Sequence, residues 1–339
     1  MPQFSRFSPI LLIIAAAMLT ACGGSSGGSA PPAPPAPQLT TITTANAPLI
    51  AAAVYQTVIT ADDVAGLTAP PELGGAPSTV SAKSQSSVMA VNEVDAEPCL
   101  GPLGGRSSIT ISDSLLERFE NTELAPEDPF VLVPGDRFEL GFENCDDGDE
   151  LFPFIVDGNF DIEVTFFDGD YLNLYRLRSD VTIDNLSLIS DDLTISLDAV
   201  MSIDFDIQNL PVITIAISGG FIDELTEESG APDSSTSLSD FMITTTIDET
   251  NIPAAFSTFG SGALMNSEFD GEVTFTIDEP NALINLEGEN PTAGDIVIVG
   301  ANNATITISP FSPTQAQVDI DLGDGTVDSD LVDWDILRN

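Results

Sequence analysis

The sequence contains no histidine, and Lys83 is its only lysine. Histidine is the usual base beside a serine or cysteine nucleophile and a preferred ligand of zinc and haem, so both kinds of site are disfavoured. A G-x-S-x-G pattern occurs at residues 23–27, but this segment predicts neither the strand nor the helix of a nucleophile elbow. Paired carboxylates could hydrolyse glycosides, but one tryptophan and three tyrosines offer few stacking platforms for sugars. We therefore predict that the protein is not an enzyme.

Basic residues are also scarce, since eight Lys and Arg stand against 54 Asp and Glu, a formal net charge of −46. A surface this negative repels nucleic-acid phosphates, so DNA and RNA are excluded as partners. The acids begin at Asp62 and are spread over nearly all of the chain that follows. This spread favours a solvated polar face, with cation binding as the alternative interpretation.

The apolar stretch at residues 9–18 follows Arg6 and has the length of a signal-peptide core, too short to span a bilayer. The next residues, Leu19-Thr20-Ala21-Cys22, resemble the lipobox of bacterial lipoproteins. The resemblance implies cleavage before Cys22 and acylation of its thiol, which would make the membrane a partner through the lipid. Gly23 is not the aspartate that, by family analogy, retains such proteins at the inner membrane, so the outer membrane is expected. The alternatives are an ordinary secretory signal with a stray cysteine and a short buried helix.

Composition divides the chain into four segments. A stretch rich in Gly and Ser, then in Pro and Ala, is typical of a tether that cannot bury a core. An Ala-rich stretch after it predicts a short helix up to Ile59, with Asn46 as its cap and Pro48 in the first turn, and then a surface loop from residue 62. The segments are a signal peptide (1–21), a lipidated tether (22–45), a short helix and loop (46–94) and a β domain (95–339).

Cys99 and Cys145 remain once Cys22 is assigned to the lipid. Two remaining cysteines in an oxidising compartment predict one disulfide. A metal or redox pair is the alternative, but the chain has no C-x-x-C motif and no imidazole. We therefore expect a Cys99–Cys145 bond.

Beyond residue 95, apolar and polar residues alternate, so the hydrophobic pattern repeats every two residues. Strict alternation with β-branched and aromatic residues predicts strands with one dry and one wet face, which favours antiparallel pairing. The expected fold is all-β: a large antiparallel meander, as a curved sheet, sandwich or partly open barrel, with a short N-terminal helix. The clearest runs cover residues 138–142, 160–166, 194–207 and 273–277. Turns are predicted at Asp157-Gly158, Asp168-Gly169, Asp270-Gly271, Asn302-Asn303 and Asp324-Gly325.

Several short motifs recur in a group of uncharacterised proteobacterial lipoproteins, which this chain resembles. They are Cys99 with Gly104-Gly105, Pro134-Gly135-Asp136-Arg137-Phe138, Phe142-Glu143-Asn144-Cys145, Gly158, Asn46-Ala47, and Asp324-Gly325 before Trp334. The resemblance covers most of the mature chain and supports the β fold and the disulfide, but it implies no activity. This chain departs from the group by an inserted loop at Leu115 to Asp128.

The acids near the C-terminus form the one candidate metal site. Asp319, Asp321, Asp324, Asp328 and Asp330 lie around two glycines, and oxygen-rich loops of this kind bind Ca²⁺. The spacing is one residue longer than an EF-hand opening, and no closing glutamate follows. We predict a plain hairpin, with a weak Ca²⁺ site as the alternative and no other cofactor.

Two functions remain after these exclusions. The first is a structural or interaction module of the cell envelope, whose partner would be an envelope protein. The second is a carrier of a lipid or other hydrophobic ligand in the concavity of a curved sheet. A filled core would favour the module, and a large empty apolar concavity would favour the carrier.

Overall fold

The computed structural model describes residues 38–68, 97–99, 104–121, 132–146, 155–170, 174–190, 193–227, 234–286 and 288–338. The predicted signal peptide, most of the predicted tether and residues 69–96 lie outside this part of the chain. The described residues form one antiparallel sheet of fifteen strands with three helices. This confirms the all-β meander.

Each strand pairs with the next one along the chain, except that β11 pairs with β9, so β10 is followed in the sheet by β12. Within the described residues, β1 and β15 are the two ends of the sheet, which is therefore open. The strands are β1 (Glu97–Pro98), β2 (Arg106–Ile111), β3 (Arg137–Asp146), β4 (Ile155–Gly169), β5 (Tyr175–Ile189), β6 (Leu193–Asp206), β7 (Val212–Glu227), β8 (Ser234–Asp248), β9 (Ala255–Asn266), β10 (Phe269–Ile277), β11 (Leu283–Leu286), β12 (Ile296–Val299), β13 (Thr305–Ser312), β14 (Gln315–Asp321) and β15 (Val327–Asp333).

Two of the predicted turns are wrong. Asp157-Gly158 and Asp270-Gly271 lie inside β4 and β10, where the pairing register shifts at a bulge. Gly158 and Gly271 have φ of +123° and +95°, a backbone that glycine adopts without strain. The other pairs end or join strands as predicted: Asp168-Gly169 closes β4, Asn302-Asn303 separates β12 from β13, and Asp324-Gly325 separates β14 from β15.

The N-terminal helix α1 (Ala47–Thr68) is longer than predicted and continues into residues 62–68, for which the composition predicts a surface loop. Asn46 directly precedes the helix, as predicted, and its backbone carbonyl accepts the N–H of Ile50 (3.0 Å). Its carboxamide points back along the chain, where it accepts the backbone N–H of Thr43 (2.7 Å) and donates to the Thr41 carbonyl (3.0 Å). Buried side chains recur every three to four residues along the helix, at Ile50, Ala51, Val54, Tyr55 and Val58. This apolar stripe holds α1 against β7, β8 and β12 to β14.

The inserted segment at residues 115–128 is predicted as a loop, but part of it belongs to a helix, α2 (Asp113–Asn121). Its Leu115 is fully buried against Ile111, Leu132 and Val164 in a small second core. Leu115, Leu116 and Phe119 have the i, i+1, i+4 spacing of one helix face, so the sequence carried a signal for α2 that a search for period-two alternation misses.

A buried carboxylate joins α2 to the start of β3. Asp136 has no exposed surface, and its Oδ2 accepts the backbone N–H of Val133 (2.8 Å) and pairs with the Arg118 guanidinium. Its Oδ1 accepts the Ser114 hydroxyl (3.3 Å). The backbone of Asp136 is also bonded to β4, since its carbonyl accepts the N–H of Val164 (2.8 Å). One residue therefore connects three elements of the fold, α2 through its side chain and β4 through its backbone at the start of β3.

One continuous cluster of buried apolar side chains links α1, strands β5 to β14 and the C-terminal helix α3 (Trp334–Leu337). Trp334 is 1% exposed, and its ring centroid lies 5.0 Å from that of Tyr55. The Trp334 indole N–H donates to the Ser312 carbonyl (3.3 Å), so the polar edge of the ring is satisfied within the core. The two helices thus belong to the same core as the dry face of the sheet.

Candidate functional site

Cys99 and Cys145 are bonded to each other, as the cysteine count predicts. Their Cα atoms lie 5.4 Å apart, which is usual for a disulfide. Cys145 is buried at the end of β3, and Cys99 directly follows β1. The bond therefore ties the first strands of the sheet together at its N-terminal end.

The predicted lipidation site, Cys22, lies outside the described residues. Within those residues, no helix combines the length and the apolar character needed to cross a membrane.

The acids of the C-terminal hairpin face opposite sides of the sheet. Register pairs Asp319 with Ser329 and Asp321 with Val327 on one face, and Asp328 with Ile320 and Asp330 with Val318 on the other. In the described part of the chain, no three acidic, cysteine or histidine side chains are grouped where they could hold a metal ion.

Two carboxylates of the hairpin bind its own backbone. Asp321 Oδ1 accepts the N–H groups of Gly323 (2.8 Å) and Gly325 (3.2 Å), and Asp324 Oδ1 accepts the N–H of Thr326 (2.8 Å). These bonds give Asp321 and Asp324 a structural role in the turn. β14 and β15 pair antiparallel, so the predicted hairpin is present. The weak Ca²⁺ site at Asp319, Asp321, Asp324 and Asp328 stays the alternative hypothesis, and these carboxylates do not share one face.

A carboxyl group that sequence reasoning missed lies on the dry face of β7. Asp223 follows Phe221 on that face, between Leu197 of β6 and Thr236 of β8. Its Oδ1 is buried and has no hydrogen-bond partner among the described residues. Burial, and secondarily the charge of Glu224, raises the pKa of Asp223 to about 7. The sequence indicates this position, because alternate residues of a strand point to the same face. Asp223 is on the face of the apolar residues Ile213, Ile215, Ile217 and Phe221.

The Asp223→Asn substitution should remove a pH-dependent loss of stability. Because the folded-state pKa lies above the unfolded value, the folded protein binds a proton that the unfolded chain releases, so stability falls as pH rises from about 4 to 7. At pH 8 the variant should have a free energy of unfolding about 2 to 3 kcal/mol above wild type, and at pH 4 the two should agree. Urea unfolding at both pH values measures this. Parallel pH profiles for the two proteins would contradict it.

Two concavities of the described structure are modest in size. One of about 340 Å³ lies between α1, β9, β11 and Arg338, with walls of apolar and polar side chains, and Arg338 lies beside the Tyr55 hydroxyl. The other, about 390 Å³, is lined mainly by polar side chains, among them Asp157, Asp198 and Glu224. Both volumes are near the lower limit for small-molecule pockets, and the main core is occupied by side chains.

The strand β15 lies at one end of the described sheet and has an unpaired edge. Its only partner among the described strands is β14, so its other edge carries backbone N–H and C=O groups that no described strand pairs with. Val327 and Leu331 on this strand are 56% and 50% exposed. Such an edge can accept a further strand from a partner.

No protein-family model, no curated protein and no solved structure matches this chain in the comparisons.

Proposed function

We propose that the protein is an outer-membrane lipoprotein of the cell envelope that acts as an interaction module and carries out no catalysis. The filled core supports the module over the carrier: the apolar side chains on the dry face of β5 to β14 pack into one continuous cluster with α1 and α3. The exposed edge of β15 supplies a surface for a protein partner. The lipobox and the motifs of the lipoprotein group support the anchor.

The Cys22→Ser variant should be lost from the outer membrane. Without the thiol no acyl chain can be attached, and each buried CH₂ of such a chain contributes about 0.8 kcal/mol to membrane binding. The Gly23→Asp variant keeps the thiol and is the matched control, since it should remain membrane-bound and move towards the inner membrane. Density-gradient fractionation with immunodetection measures both. A Cys22→Ser protein that sediments with the outer membrane at the wild-type level contradicts the anchor.

Organic extraction of the purified Cys22→Ser protein separates the module from the carrier. This variant carries no acyl chain of its own, so any lipid in the extract comes from binding. We expect none in stoichiometric amount, because the core is already occupied by side chains. One lipid per protein by mass spectrometry would favour the carrier instead.

A further inference from the structure

The last strand of the sheet reverses the pattern of the strand beside it. On β14, Val318 and Ile320 are 1% and 3% exposed and face the core. The register places Asp330 and Asp328 of β15 on that same face, where both are exposed. The opposite face of β15 carries the exposed Val327 and Leu331. Over residues 327–331 acids therefore occupy the dry side of β15 and apolar residues the wet side, whereas Val332 packs against the core and Asp333 lies on the wet side. An apolar residue exposed on the wet side of a free edge can be covered by an added strand.

The acids on this edge are available for new contacts. The carboxylates of Asp328 and Asp330 make no hydrogen bond or ion pair with any described residue, whereas the Asp319 carboxylate on β14 accepts bonds from Gln317 and Ser329. Most of the described cations are also engaged elsewhere: Arg118, Arg137, Arg176 and Arg178 each pair with an aspartate. A neighbouring strand would thus have to bring its own positive charge.

A second copy of the chain does not fit this edge. Antiparallel pairing of two β15 strands would bring Asp328, Asp330 and Asp333 of each copy near the same acids of the other. Like charges on facing strands are destabilising, and inward-pointing charges on edge strands are a known device against self-association. The net charge of −46 adds a long-range repulsion between copies and attracts basic partners.

We propose that the free edge of β15 binds an extended basic segment of an envelope protein as an added antiparallel strand. Lysine or arginine at alternate positions of that segment would face Asp328 and Asp330, and apolar residues between them would cover Val327 and Leu331. Main-chain hydrogen bonds supply affinity in this mode, and the two faces supply specificity. This proposal rests on the proposed function, since it names the partner of the interaction module.

The test uses the full chain, expressed with its own N-terminus and purified in mild detergent, and a fluorescent peptide of alternating valine and lysine. A peptide of the same composition with its valines and lysines in two separate blocks is the sequence control. The edge variant is Asp328→Lys with Asp330→Lys. The matched protein control is Glu163→Lys with Asp180→Lys, an equal change of charge at exposed, facing positions of β4 and β5, both of which are paired on both edges.

Fluorescence anisotropy at about 0.15 M salt should show that the alternating peptide binds wild type and the control variant with similar affinity. The edge variant should bind it about tenfold or more weakly, since two attractive cross-strand pairs become repulsive. Bound peptide should slow amide hydrogen exchange in residues 327–333. Melting temperatures of both variants close to wild type show that folding is intact.

The proposal would be overturned if the edge and control variants lost equal affinity for the alternating peptide, or if wild type bound the alternating and block peptides equally. Either result would mean that the peptide is held by general charge attraction. A concentration-dependent dimer in analytical ultracentrifugation that the edge variant abolishes would assign the edge to a second copy instead. Both results leave the Cys22→Ser fractionation unaffected, so failure of this proposal and failure of the anchor are distinguishable.

Discussion

Replacing Asp136 with alanine should lower the free energy of unfolding by about 2 to 4 kcal/mol, because the Arg118 guanidinium, 31% exposed, and the Ser114 hydroxyl lose the buried carboxylate to which they are bonded. The carboxylate has no exposed surface and is bonded to Arg118, Ser114 and the Val133 backbone. The Val133 N–H would also lose its acceptor, and each buried donor left unpaired costs about 1 to 3 kcal/mol. The Asp136→Asn variant keeps the shape of the side chain and should lose less of the free energy of unfolding.

Asp161→Ala is the matched control for this measurement. Asp161 also pairs with an arginine, Arg137, but that arginine side chain is 54% exposed. Exposed pairs contribute about 0 to 1 kcal/mol, so the control should be nearly as stable as wild type. Urea unfolding followed by circular dichroism measures all three variants. Equal losses for Asp136→Ala and Asp161→Ala would show that Asp136 does not act as a buried connector.

Removing the disulfide should produce a loss of similar size. Cys99 and Cys145 are separated by 46 positions, and on the chain-entropy model a loop of this length stabilises the folded state by about 4 kcal/mol. The double variant Cys99→Ser with Cys145→Ser should lose this amount, and wild type in reductant should match it. The bond holds the β1–β3 end of the sheet, so hydrogen exchange should increase first in β2 and β3.

Cys22→Ser is the control here as well, since it changes a cysteine that the bond does not involve. Its unfolding midpoint should equal that of wild type when both are measured without reductant. Thiol labelling of unfolded, unreduced Cys22→Ser protein should find no free cysteine. Stoichiometric labelling of both remaining cysteines, or an unfolding midpoint that reductant leaves unchanged, would contradict the disulfide.

Much of the fold could be predicted because strand faces are local properties. Successive side chains on a strand point to opposite sides, so alternation over residues 194–207 assigns the buried face of β6 without knowledge of its neighbours. The same reasoning would have found Asp223, whose position on the buried face follows from the residues before it. Cysteine pairing was predictable for a different reason, since a count of two leaves one combination.

The sequence by itself determined the fold class, the order of the strands as a meander and the cysteine pair, because each depends on composition or on near neighbours along the chain. Tertiary structure alone decided whether Asp157-Gly158 and Asp270-Gly271 are turns or bulges, since the same dipeptide serves both and the adjacent strand selects between them. It also brought Arg118 to Asp136, and it placed Asp328 and Asp330 on the dry side of a free edge. Pairing register and the end of a sheet are relations between segments, and no single segment encodes them.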